Sequence, residues 1–179
     1  MATEPARATL AGGCFWCLEA AFEEVPGVDS VTSGYAGGDV SNPSYEAVST
    51  GETGHAECVQ LEYDPEEISY VDILGVFFRV HDPTQLNRQG PDVGTQYRSA
   101  IFAHNQEQRE TANSFIAALE DEEAFEDDIV TEVEPLETFW EAEEAHQDYY
   151  AENPDDRYCT RYVEPKVKKV QAAFGEETG

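Results

Sequence analysis

Lysine is nearly absent. Only Lys166, Lys168 and Lys169 occur in 179 residues, and ten basic residues in all face 38 acidic ones, leaving a formal charge of −28. A surface this negative repels phosphates, which excludes a general nucleic-acid-binding role. Long apolar runs are missing too, and nothing approaches the ~20 residues that span a bilayer. The start, Met1-Ala2-Thr3-Glu4-Pro5, has neither the basic segment nor the apolar core of a signal peptide, so a cytoplasmic setting is expected. Cysteine is sparse and unevenly spaced, at 14, 17, 58 and 159. In an intracellular chain that pattern argues against a disulfide scaffold and for catalytic, redox or metal roles.

The negative charge repels itself in dilute salt, and concentrated salt screens the repulsion. A halophilic setting follows, with an ordinary acidic protein as the alternative. The tract Glu120 to Asp128 reads as a solvated loop carrying part of that charge. Nine Phe, nine Tyr and two Trp supply the apolar surface for one core, so residues 1–179 are expected to form a single domain.

Periodicity alternates strands with helices. Thr9 to Ala11 reads as a strand, Leu18 to Glu24 as a helix and Val28 to Gly34 as a strand. Gly34 to Pro43 has loop composition and includes an exposed-looking Tyr35. Val59, Leu61 and Tyr63 alternate with Cys58, Gln60 and Glu62, which predicts a strand over Ala56 to Tyr63. Tyr70 to Val80 predicts a helix, and His81 to Tyr97 a long loop of the kind that carries function. Arg98 to Ala103 is a strand, Asn105 to Leu119 a helix capped by Asn105, and Ile129 to Val133 a strand. Phe139 to Tyr150 predicts a last helix, with an irregular tail from about 153 to 179. The pattern is that of an α/β two-layer domain with a mixed sheet.

Gly12-Gly13-Cys14-Phe15-Trp16-Cys17 stands where the first strand turns into the first helix. A thiol there meets the positive end of the helix dipole and open backbone N–H groups, both of which favour thiolate. Two aromatic residues follow the sulfur. Cys-x-x-Cys also fits a buried thiol pair or half of a zinc site, although His55 and Cys58 offer no recognisable spacing for the other half. Three polar clusters lie in or beside loops: Asn42-Pro43-Ser44-Tyr45, Thr53-Gly54-His55-Ala56-Glu57 and Asp92-Val93-Gly94-Thr95-Gln96-Tyr97-Arg98. A carboxyl whose pKa is raised by burial can act as a general acid beside a thiol, and tyrosine hydroxyls can donate to an oxygen gaining charge. By pattern alone, Glu57 at the start of a strand is a solvated charge.

Gly12-Gly13-Cys14-Phe15-Trp16, Gly54-His55-Ala56-Glu57, His81-Asp82-Pro83, Gly94-Thr95-Gln96-Tyr97-Arg98-Ser99 and His146-Gln147 occur in this order, with Asn42-Pro43-Ser44-Tyr45 and Gln89-Gly90-Pro91-Asp92 between them. In these segments the chain resembles the peptide methionine sulfoxide reductases of the A type. The resemblance implies an α/β (α+β) two-layer sandwich with helices packed on a mixed sheet, a ferredoxin-like core and an irregular tail. It implies reduction of the S epimer of methionine sulfoxide, free or in proteins, as a repair activity. Cys14 then corresponds to the nucleophile and Glu57 to the proton donor. Tyr45, Tyr97 and, through water, Asp92 correspond to the hydrogen-bonding shell, and Phe15 and Trp16 to the pocket for the substrate methyl group. No metal or organic cofactor is implied. A second cysteine resolves the sulfenic acid, and thioredoxin or a similar dithiol restores the thiols. Cys159, in an Asn-Pro…Tyr-Cys context, is the favoured resolving residue and Cys17 the alternative, while Cys58 reads as a small filler. A thioredoxin-like oxidoreductase using Cys14 and Cys17, or an acidic binding module with inert thiols, would leave the Glu57 and Asp92 clusters unexplained.

Overall fold

Along β1 (Ala6–Ala11), Ala8 and Leu10 face the main core while Ala11 packs on the opposite face of the sheet. The computed structural model describes residues 6–13, 15–89, 92–143, 147, 152–153, 155–157 and 159–178. After β1 come α1 (Phe15–Glu23), β2 (Val28–Ala36), α2 (Tyr45–Ser49), β3 (Ala56–Tyr63) and α3 (Tyr70–Val80). A hairpin of β4 (Arg88–Gln89) and β5 (Asp92–Val93) follows, with a 3₁₀ turn at Thr95–Tyr97. Next are β6 (Ala100–Ala103), α4 (Gln106–Asp121), β7 (Glu132–Pro135), β8 (Trp140–Glu141) and α5 (Glu164–Thr178).

Six strands form one mixed sheet in the order β7-β6-β1-β3-β2-β8, parallel between β6 and β7 and antiparallel elsewhere. Leu10, Val59, Leu61 and Ile101 on one face meet Leu18 and Phe22 of α1, Leu74 and Phe77 of α3, and Val167 and Val170 of α5. Each large apolar side chain buried there contributes about 1.5–3 kcal/mol. The other face carries a smaller cluster of Ala11, Ala36, Ala56, Cys58, Ala100 and Phe102 under Leu136 and Phe139. Cys58 is the small filler expected. α3 begins with a capping box, in which Ser69 accepts from Asp72 N and Asp72 from Ser69 N. Among the described residues, Glu19 and Glu57 are the only buried acidic side chains. The tract from Glu120 to Asp128 is exposed apart from Phe125. No helix among the described residues is long and apolar enough to cross a membrane.

Several expectations need correction. β2 runs on to Ala36, and Tyr35 is fully buried rather than exposed. The helix expected over Phe139 to Tyr150 is absent at its start, because Trp140 and Glu141 pair with Tyr35 and Gly34 as the edge strand β8. Residues 144–146 and 148–150 of that span lie outside the described residues. The tail from 153 is not irregular: Cys159–Val163 forms a π-helical turn that leads into α5. Val163, Val167 and Val170 bury one stripe of it on the core. Pro165 falls just past the π-helical turn, at the second residue of α5.

Candidate active site

Gly13 enters α1 at φ +92°, and a Cβ there would meet Gln89 Cγ at 2.7 Å. Only glycine suits that position. Gln89 is itself fixed, since its side chain accepts from Asp82 N at 2.9 Å and donates to Asp82 O at 3.0 Å. Cys14, the expected nucleophile, lies outside the described residues. The residue after it in sequence, Phe15, opens α1 and is fully buried.

Glu57 reaches the head of that helix from β3. Its Oε1 accepts the Phe15 N–H at 3.2 Å, while the buried Oε2 has no hydrogen-bond partner among the described residues. The carboxyl is 1% exposed, so the pattern-based picture of a solvated charge fails here. Burial raises its pKa to about 8; the Phe15 N–H opposes the rise and the charge of Asp92 adds to it. The group therefore holds a proton at neutral pH and has one oxygen open to donate it.

Aromatic rings surround this point. Phe15 lies 5.7 Å from the ring of Tyr35 and 6.1 Å from that of Tyr45, the latter stacked at 25°. Trp16, half-buried, follows Phe15 on α1. Tyr35 stands opposite Glu57 in the β2–β3 register. Its phenol pKa is raised by burial and then by Glu143, Glu57 and Tyr45, so it remains a donor. Asp92, on β5, acts electrostatically on Glu57. Tyr97 is half-buried and ends the 3₁₀ turn that packs on β3 and β4. Gln96 of that turn donates to Ser49 O at 3.1 Å and so ties it to α2. Phe15, Tyr45, Glu57 and Asp92 are thus brought to one place. Tyr35 and Glu143 join them without any sequence signal beyond the Gly-Tyr pair and the Glu three residues before His146.

Cys17, on α1, and Cys159 are buried thiols in the same core cluster. Burial, followed by Asp156 and then Cys17, pushes the Cys159 thiol up to about 11. The π-helical turn bearing Cys159 packs directly on α1. Cys58 is buried on the opposite face of the sheet, and burial pushes its thiol up strongly.

The two buried histidines have structural partners. His55 Nδ1 accepts from Gly38 N at 3.0 Å and Nε2 donates to Val40 O at 2.7 Å, so neither ring nitrogen is open to a metal. His81 bonds to Phe77 O through Nδ1 and to Ser99 Oγ through Nε2 at 2.7 Å, and burial lowers its pKa to about 4. Among the described residues no group of three or more His, Cys, Asp or Glu side chains is placed to hold a metal ion.

A mixed α/β domain with cysteines clustered at its first helix and a protonated carboxyl at that helix's head defines a class, the thiol-dependent oxidoreductases. Comparison with known proteins narrows it. The family model described as peptide methionine sulfoxide reductase matches residues 6–178. Peptide methionine sulfoxide reductase MsrA of Haloquadratum walsbyi is 61% identical, covering 95% of this chain and 97% of that protein. Its counterpart in Halobacterium salinarum is 58% identical over 99% of each chain. Among solved structures, Mxr1 of Saccharomyces cerevisiae in reduced form superposes with a TM-score of 0.82 at 36% identity, covering 87% of this chain and 90% of that one. The chain belongs to the peptide methionine sulfoxide reductase family.

Proposed function

We propose that this chain reduces the S epimer of methionine sulfoxide, free or in proteins, with Cys14 as nucleophile and Glu57 as proton donor. Family membership supports the reaction. The observation that carries the chemistry is the buried Glu57, protonated up to about pH 8 and hydrogen-bonded to the residue that follows Cys14. A sulfoxide sulfur is a weak electrophile and its oxygen a poor leaving group, so attack needs a thiolate on sulfur and a proton on oxygen. The Cys14 thiolate attacks the sulfoxide sulfur, forming an S–S bond, while Glu57 gives its proton to the oxygen. The hydroxyl then passes to the Cys14 sulfur: the substrate S–O bond and the new S–S bond break, the S–S electron pair leaves on the methionine sulfur, and Cys14 is left as a sulfenic acid. Tyr45 and Tyr97 donate hydrogen bonds to the oxygen as it gains charge, and Asp92 acts on it through a water. Phe15 and Trp16 enclose the substrate methyl group.

The sulfenic acid then condenses with a second thiol, forming a disulfide and releasing water. Cys159 is the resolving residue in this reading, with Cys17 as the alternative. The closeness of the two thiols also allows the disulfide to pass between them by exchange. Cys159 sits in a π-helical turn that packs on α1, the helix whose head follows Cys14. Thioredoxin or a similar dithiol reduces the disulfide, and no metal or organic cofactor takes part. The setting is a cytoplasm rich in salt, in keeping with the charge of −28 and the haloarchaeal relatives.

The fold behind this reading is one domain over residues 1–179, two-layered and built on a ferredoxin-like core. Its support is the succession β1–α1–β2–β3–α3–β6 with strand order β6-β1-β3-β2. The direct test supplies each pure sulfoxide epimer with dithiothreitol as donor. Turnover of the S epimer alone, lost in Cys14→Ser, is expected; activity retained by the serine variant refutes the assignment. Peptide mass mapping after one equivalent of substrate then reads the disulfide in Cys17→Ser and Cys159→Ser. Normal thioredoxin-dependent turnover by Cys159→Ser, with loss in Cys17→Ser, makes Cys17 the resolving thiol.

A further inference from the structure

Segment 140–147 contains the Gln147 of the His146-Gln147 pair, for which the reaction gives no role. It is fastened to the sheet beside the site at several points. Trp140 and Glu141 pair with Tyr35 and Gly34 of β2, and Ala142 N donates to Ser33 O at 2.9 Å. The Gln147 side chain continues that ladder as a backbone amide would. Its Oε1 accepts from Ser33 N at 2.9 Å, and its Nε2 donates to Ser33 O at 2.8 Å and Ala142 O at 3.1 Å. His146 lies outside the described residues.

Between these anchors, Glu143 reaches across to a different part of the chain. One carboxylate oxygen accepts from the Tyr35 phenol at 3.2 Å, and the other accepts from Tyr45 N at 3.0 Å. Tyr45 is the first residue of α2, where a backbone N–H has no partner within the helix. The Ser44 cap serves Ala47 N, so it leaves Tyr45 N to Glu143. The ring of the residue so held stacks on Phe15, whose own N–H binds Glu57.

We infer that Glu143 is a positioning residue: anchored by β8 and Gln147, it holds Tyr45 over the Phe15 ring and thereby sets the tyrosine's place in the reaction. The functional half of this inference rests on the role proposed for Tyr45. Glu143 itself is exposed, so its removal should act through Tyr45 and leave the core intact.

Glu143→Ala removes both acceptors, whereas Glu143→Gln keeps an oxygen and a polar nitrogen of the same reach. In Glu143→Ala the Tyr45 amide hydrogen should exchange at least ~5-fold faster by NMR, as local opening there becomes easier. Single-turnover rates with methionine sulfoxide should fall by about tenfold at saturation with little change in KM, since a misplaced donor weakens the transition state rather than binding. Glu143→Gln should recover most of that loss. In a Tyr45→Phe background the alanine change should add almost nothing, because both substitutions disable one unit. Unchanged exchange at Tyr45, an unchanged rate, or additive losses each overturn the proposal. If the unsubstituted protein fails to reduce the sulfoxide, the reductase reading falls instead, and exchange at Tyr45 decides on its own whether Glu143 holds that residue.

Discussion

Glu57→Gln separates the chemistry of the site from its shape. The glutamine keeps the volume and can still accept the Phe15 N–H, but it can neither ionise nor donate an acidic proton. Glu57 is raised from its ordinary 4.5 to about 8, chiefly by burial. That difference corresponds to on the order of 5 kcal/mol between the two protonation states. Below pH 4.5 both folded and unfolded chains hold the proton, so the buried acid's full contribution to stability is present. Between 4.5 and 8 the unfolded chain releases it while the folded chain does not, and stability falls with rising pH. Above 8 the loss is complete. The glutamine variant lacks this slope, so its stability relative to the unsubstituted protein should grow across that window by up to about 5 kcal/mol. Urea unfolding in molar potassium chloride, at half-unit steps from pH 4 to 9, reads this directly, since urea leaves the ionic strength unchanged. The Cys159 thiol titrates near 11, beyond the window, and His81 titrates equally in both proteins and cancels. Single-turnover methionine formation, which needs no added reductant, should fall by on the order of 10²-fold near neutral pH and lose its alkaline limb near 8. Parallel pH–stability curves for the two proteins would show that Glu57 is not a buried acid. A near-unchanged pH–rate profile in the glutamine variant would remove it from the mechanism.

His81 makes the opposite demand on the acid side. Its pKa is lowered to about 4 by burial, so its contribution is present above 6.5 and is lost as pH falls from there towards 4, at a cost of about 3 kcal/mol. His81→Gln should lose that contribution, so the stability difference between it and the unsubstituted protein should change by about 3 kcal/mol between pH 6.5 and 4 in urea unfolding, and a constant difference would contradict it. At Gly34 a Cβ would sit 2.4 Å from both Phe139 Cζ and Trp140 O. Gly34→Ala should therefore cost about 2 kcal/mol by forcing β8 off the sheet, read as a Tm lowered by roughly 4–8 °C; a Tm within a degree of the unsubstituted protein refutes that close approach. Screening of the −28 charge should raise Tm steadily between dilute and molar potassium chloride, and a flat or falling Tm would contradict the halophilic setting.

Local signals in the chain determined much of this protein. The alternation from Ala56 to Tyr63, the apolar stripe from Tyr70 to Val80 and the Asn105 cap each have a period or a side chain that acts within a few residues, and each became the expected element. The ordered motifs around Cys14, Glu57 and Tyr97 pointed to the family, because their chemistry depends on residue type and order along the chain. Charge composition did the same for the salt-rich setting. What the tertiary structure alone decided concerns contacts between distant segments. Glu57 has the sequence appearance of a solvated charge, and only the convergence of β3, α1 and the Asp92 hairpin buries it and makes it an acid near neutrality. Tyr35 reads as a loop residue among glycines until β8 pairs with its backbone and the Phe15 ring packs on its side chain. The stretch after Phe139 has helical periodicity, yet its first residues pair as a strand because β2 offers an open edge and Gly34 leaves room beside it. The segment after Asn153 looked irregular because Asn-Pro and Pro165 punctuate it, whereas the stripe of Val163, Val167 and Val170 finds a partner in α1 and α3. Helix and strand periods are written over a handful of residues; whether a carboxyl keeps its proton, or an edge strand replaces a helix, depends on which remote surface arrives to cover it.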